Sequence, residues 1–179
     1  NIISTATIFT LFGFDWFTSI SMGQKIFNEV DIFLYKQKDE IKKPSNLISG
    51  ALDLLISLKK KGVFIALMTN DTQSGIEEFI CSNKLEGIFD CLWSAENKPS
   101  KPNPEAVIEV CKKMNLNPSE CALISDADTD LRMAKEANIP IAIGFTGGWK
   151  NPPILTEQQF LVEKFNELTI HVNPYNIEE

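Results

Sequence analysis

Within Ser125-Asp126-Ala127-Asp128-Thr129-Asp130, three carboxylates follow directly on the apolar run Cys121 to Ser125. Asp126 ends that run and Asp130 lies four residues on, so both would face the same end of a strand-to-helix junction. Two carboxylates there repel each other unless a cation compensates them, which favours a Mg²⁺ site over simple helix capping. Asp128, between them, is expected to cap the helix and point away. Thr69-Asn70-Asp71 also follows an apolar run. There a hydroxyl and the amides of a helix N-terminus could hold a phosphoryl oxygen, although the commoner role of such a threonine is a cap. In Lys101-Pro102-Asn103-Pro104 a lysine is pinned in a rigid loop before a capped helix, where a solvated surface lysine is the ordinary expectation.

The elements that would position these residues alternate. A helix near 49–61 presents Leu52, Leu55, Ile56 and Leu58, and Gly62 ends it after three lysines suited to a helix C-terminus. Val63 to Met68 has no polar side chain and reads as a central strand of a sheet covered on both faces. A helix over 72–83 turns Ile76, Phe79 and Ile80 inward, and 89–93 reads as a short strand. Asn103 and Pro104 are an N-cap and first-turn pair for a helix through Met114. Residues 121–125 form another buried strand, 128–137 a helix, and 139–143 a further strand, with Asn138 in the left-handed C-terminal position. The fold class is therefore α/β, a doubly wound parallel sheet, Rossmann-like. Ligands in such sheets bind at the carboxyl ends of strands, just past Met68 and Ser125. The loops 95–103 and 145–153, rich in Pro, Gly and Asn, are expected at that same edge.

The order threonine, then lysine, then paired aspartates, each at a strand end, resembles the haloacid dehalogenase superfamily, and its phosphoglycolate-phosphatase-like members in particular. Residues 66–72 resemble its second motif, 101–104 its lysine motif and 125–139 its acidic motif, together covering residues 46 to about 170. A receiver domain uses similar residues, but its aspartates come first. The resemblance implies a Mg²⁺-dependent phosphohydrolase acting on a small phosphorylated metabolite through an aspartyl-phosphate. It implies that Thr69 and the Asn70 amide hold the phosphoryl group, and that Lys101 offsets charge on nucleophile and substrate. Asp126 would ligate Mg²⁺, while Asp130 would either ligate it or orient Lys101 and a metal-bound water. Ser125 replaces a glycine more usual before the aspartate.

In this family the nucleophile lies in an aspartate-any-aspartate sequence followed by glycine-threonine, and the chain contains no such sequence. One candidate is Phe12-Gly13-Phe14-Asp15-Trp16-Phe17, with Phe17 at the general-acid position and Ser19 where the threonine would fall. That pattern resembles the dehalogenase branch and would make the chain a carbon–halogen hydrolase. The preferred expectation is that residues 1–45 are an α-helical partial cap and 46–179 the core, with the first motif upstream of Asn1. Ile8, Phe12 and Trp16, and then Ile26, Val30, Phe33 and Leu34, recur at helical spacing. A third possibility is a catalytically inactive domain kept for binding. Without the first strand, the sheet would carry a gap with exposed apolar edges.

Composition bounds the rest. The apolar content of 44% is ample for a packed core in 179 residues, and a net charge of −7 disfavours nucleic acid and anionic membranes as partners. No apolar run reaches the roughly 18 residues of a membrane span, and the N-terminus lacks a signal-peptide pattern, so a cytoplasmic location is expected. Cys81, Cys91, Cys111 and Cys121 are read as reduced core residues. His171 is expected at the surface without a role. Substrate identity and oligomeric state are not legible.

Overall fold

The computed structural model describes residues 47–170; the expected cap segment 1–45, Asp15 and His171 lie outside them. Along the described chain run α1 (Ala51–Lys60), β1 (Ala66–Met68), α2 (Gln73–Asn83), β2 (Cys91–Trp93), α3 (Pro104–Lys113), β3 (Ala122–Ser125), α4 (Asp128–Glu136), β4 (Ile141–Phe145) and β5 (Phe160–Val162). Short 3-10 turns occupy Pro118–Glu120 and Phe165–Glu167.

The punctuation follows the side chains. α1 stops where Gly62 takes φ 74°, its amide donating to the Lys59 carbonyl at 3.0 Å while the Val63 amide reaches Leu58 at 3.1 Å. The Thr72 hydroxyl caps α2 by accepting from the Gly75 amide at 3.1 Å, and the Asn103 side-chain Oδ1 caps α3 by accepting from the Glu105 amide at 3.0 Å. Asn138 adopts φ 60° after α4.

All strand pairs are parallel, in two separate sheets among the described residues: β1 with β2, and β3, β4 and β5 in that order. Of the run Val63 to Met68, expected as a central strand, Ala66–Met68 forms the strand, paired among the described residues with β2, and Val63 and Phe64 are exposed. β1 and β3 do not pair with each other, so each presents an edge without a described partner. β5 was not foreseen, because a three-residue apolar run between polar neighbours is too short to carry a period. β4 starts two residues later than expected, after Asn138 and Pro140 have turned the chain.

α4 packs on β3 and β4, and α3 packs on α4 and β2. Between them lie Val107, Cys111, Leu131, Met133, Ala134, Ile139 and Ala142, with Leu123 and Met68 packed against this cluster. Met68 also touches the second cluster of Cys91, Trp93, Ala106 and Val110, and so ties the two sheets to one helical layer. Lateral register puts Ile124, Ile143 and Phe160 in one row, and Ile124 and Phe160 are exposed, as is Ile141. β3, expected as a buried strand, is therefore covered on one face by the described helices. The apolar stripe of α1 buries no residue fully, and Leu52 and Ile56 are exposed. All four cysteines are free, but Cys81 is exposed and Cys121 half-buried, so the core reading holds for Cys91 and Cys111.

One electrostatic tie secures the start of β1. Asp90 accepts from Lys59 Nζ at 2.8 Å and from the Ile65 amide at 2.7 Å, and these two donors hold its carboxyl below the usual value. A carboxylate whose folded pKa is depressed stabilises the fold above its unfolded pKa, and that contribution fades as pH falls through the folded value. Asp90→Asn is expected to lower the urea midpoint at pH 7, with the gap to wild type closing below about pH 4. A gap unchanged from pH 7 to pH 3 would refute this role.

Candidate phosphate and cation site

Lys101 is the residue whose environment departs furthest from the ordinary expectation. Its loop is strapped from within. The Ser94 amide and hydroxyl both donate to Asn97 Oδ1, at 2.8 and 3.1 Å, and the Trp93 indole donates to the Pro99 carbonyl at 3.2 Å. Ser94 is buried, and the Asn103 amide closes the turn on Ser100 at 3.1 Å. The Lys101 side chain is 9% exposed, and Nζ donates to Asp130 Oδ2 at 2.6 Å. It is not a solvated lysine. A nearly buried ammonium hydrogen-bonded to one carboxylate is kept at a fixed place.

Asp130 is buried in the first turn of α4, and Ser125 Oγ also donates to its Oδ2, at 2.9 Å. The same hydroxyl accepts from the Ala127 amide at 3.2 Å, fixing the turn between β3 and α4. Ser125 thus does more than tolerate a position usually given to glycine. Asp126, one residue on, is exposed at the strand end. Its Oδ2 accepts from the Trp149 indole Nε1 at 3.0 Å.

Asp128 departs from its expected part. α4 is preceded by Ala127 with no side-chain cap, and Asp128 instead accepts from the Thr156 amide at 2.8 Å, the Thr156 hydroxyl at 2.7 Å and the Glu157 amide at 3.0 Å. It does point away, as expected, but it fastens the segment before β5. The Thr156 hydroxyl, then its amide, hold the Asp128 carboxyl below its usual value.

Thr69 follows β1, its amide donating to the Trp93 carbonyl at 2.9 Å and its hydroxyl accepting from the Asp71 amide at 3.1 Å. The cap of α2 is Thr72, so Thr69 is not the helix cap that its type alone favoured. It is half-buried and Asn70 is exposed, both at the β1 end. Side-chain contacts thus join Lys101, Asp130 and Ser125 directly; Asp126 stands beside them in sequence, and no contact links Thr69 to Lys101 or Asp126 in the described geometry.

Among the described residues no group of three or more His, Cys, Asp or Glu side chains gathers as a metal cage. Mg²⁺ does not require one, since it commonly takes one or two carboxylates with water and substrate phosphate. Asp126 fits that pattern as an exposed oxygen donor at a strand end. Asp130 fits less well as a direct ligand, because Lys101 occupies its Oδ2. Trp149 was missed by sequence reasoning; its signal is Gly147-Gly148 before an aromatic, in a loop expected at this edge.

The described residues form an α/β unit in which a lysine and an aspartate meet where a parallel strand passes into a helix. The model of the haloacid dehalogenase-like hydrolase family matches residues 8–143, and the chain belongs to that family. A phosphoglycolate phosphatase of Colwellia psychrerythraea is 29% identical over 119 residues, 65% of this chain and 52% of that protein. Phosphoglycolate phosphatase 1 of Pseudomonas aeruginosa is 30% identical over 114 residues, 63% of this chain and 42% of that protein. The chain spans about half the length of these relatives. Among solved structures, a predicted phosphoglycolate phosphatase from Haemophilus somnus superimposes with a TM-score of 0.67 at 20% identity, covering 86% of this chain and 65% of that one. A dehalogenase with an intermediate complex gives 0.65 at 19% identity, over 93% and 77%. These likenesses establish the fold. No helix among the described residues is long and apolar enough to cross a membrane.

Proposed function

We propose that this chain carries the phosphate- and cation-holding half of a Mg²⁺-dependent phosphomonoesterase acting on a small phosphorylated metabolite. The observation that carries this reading is the nearly buried Lys101–Asp130 pair, tied to Ser125 at the end of β3. In it, Lys101 offers charge-assisted hydrogen bonds to a phosphoryl oxygen and offsets the negative charge that gathers in transfer. Asp130 holds Lys101 in place, and Thr69 and the Asn70 amide hold the phosphoryl oxygens at the β1 end. Asp126 faces the cation, which when bound polarises the phosphoryl group and neutralises developing charge. The first-motif aspartate that would attack phosphorus, forming the aspartyl-phosphate that water then hydrolyses, is supplied by sequence upstream of Asn1.

A second reading is favoured by where the family match begins. It opens at residue 8 and so takes in Thr10-Leu11-Phe12-Gly13-Phe14. Aligned on the glycine, Thr10 and Phe12 stand where the family's two aspartates would be. Neither can serve as a carboxylate nucleophile or a general acid, so on this reading the domain binds a phosphorylated ligand without cleaving it.

Hydrolysis of p-nitrophenyl phosphate with Mg²⁺ separates the readings. Both expect no turnover by the 179-residue chain. The second expects turnover to appear in the Thr10→Asp/Phe12→Asp double variant; the first expects it only in a chain extended upstream. Turnover by the unmodified chain that Asp15→Asn abolishes would overturn both and favour the dehalogenase-like use of Asp15.

A further inference from the structure

We infer that Trp149 is a positioning residue of the cation site, its indole N–H fixing the orientation of the Asp126 carboxylate. This rests on the reading of Asp126 as the cation-facing group. The indole Nε1 donates to Asp126 Oδ2 at 3.0 Å, while more than half of the Trp149 surface is exposed. An indole left in water forgoes the burial that ordinarily places a tryptophan, so its position here is set by the loop and by this one polar contact.

The loop is built to deliver it. Thr146 is anchored to the end of β5, its amide donating to the Val162 carbonyl at 3.0 Å. At Gly147 any Cβ would collide with the Glu163 backbone carbonyl, so only glycine lets the chain pass this close to the strand. Gly148 then adopts φ +83°, and a Cβ there would meet Ile48 Cδ1 at 3.0 Å. Two successive positions that require glycine turn the backbone so that Trp149 meets a carboxylate 23 residues earlier in the chain.

The chemistry of the contact suits this part. A carboxylate has lone pairs to spare, so an N–H on Oδ2 leaves acceptor positions for a cation while removing the freedom of the exposed side chain to rotate. Hydrogen bonds to ligating carboxylates act in this way, and their loss typically weakens metal binding by about 10- to 100-fold. Trp149 needs no contact with substrate to do this.

Calorimetric titration of the 179-residue chain with Mg²⁺ is the test, run on wild type, Trp149→Phe and Asp126→Asn, with a urea midpoint for each. Trp149→Phe keeps the ring and removes the donor, and is expected to weaken Mg²⁺ binding about tenfold at an unchanged midpoint. Asp126→Asn is expected to abolish it. Wild-type affinity in Trp149→Phe overturns the positioning role and leaves the cation reading standing. Mg²⁺ binding that survives Asp126→Asn, or no binding by wild type, overturns the cation reading and this role with it.

Discussion

Leu131→Ala is expected to cost about 3 to 4 kcal/mol in urea unfolding, the largest loss from any single aliphatic truncation in the described core. Leu131 has no exposed surface and lies in α4 between the helix layer and the sheet, in the cluster that includes Val107, Met133 and Ala142. Burying such a side chain contributes about 1.5 to 3 kcal/mol, and a cavity term adds to its removal because a packed interior relaxes only in part. Leu131 also follows Asp130, so relaxation that fills the cavity would tilt the turn that aims Lys101. A midpoint shift equivalent to less than about 1 kcal/mol would mean that α4 is not held against the sheet as described.

Asp130→Ala is expected to be nearly as costly, about 3 kcal/mol, for an electrostatic reason. The substitution leaves the Lys101 ammonium, 9% exposed, without its carboxylate, and leaves the Ser125 hydroxyl without its acceptor. Removing one partner of a desolvated pair costs more than the pair contributes, since the remaining charge stays poorly hydrated. Asp130→Asn keeps a neutral acceptor and is expected to lose about half as much. The Lys101→Met/Asp130→Leu double variant removes both charges and is expected to unfold within about 1 kcal/mol of wild type. A double variant as unstable as Asp130→Ala would show that the unpaired Lys101 charge is not the source of the loss.

The helices and strand ends of this chain were legible because their signals are local. Gly62, Asn103 and Asn138 each hold the position their backbone chemistry assigns, Lys101 lies in the loop before α3, and Asp130 lies in the first turn of α4. What was not legible depends on partners distant in sequence. The Asp128 carboxylate serves Thr156 and Glu157, 28 and 29 residues away, in place of its own helix. Ser125 looked like a tolerated substitution because its acceptor is set by the turn geometry. Trp149 reaches Asp126 only because Gly147 fits against Glu163, a contact without sequence periodicity. The separation of the described strands into two sheets follows from pairing, and an apolar strand looks the same in sequence whether it has one neighbour or two.

In the proposed site the Lys101 charge is held by Asp130 of α4 and by the loop before α3, and Asp126 stands exposed at the end of β3. Isothermal titration of the 179-residue chain with inorganic phosphate, with and without Mg²⁺, tests this most directly. The account predicts phosphate binding that requires Mg²⁺, weakened by about tenfold or more in Lys101→Ala and lost in Asp126→Asn. Equal phosphate affinity in wild type and both variants, or no binding with Mg²⁺ present, would contradict it.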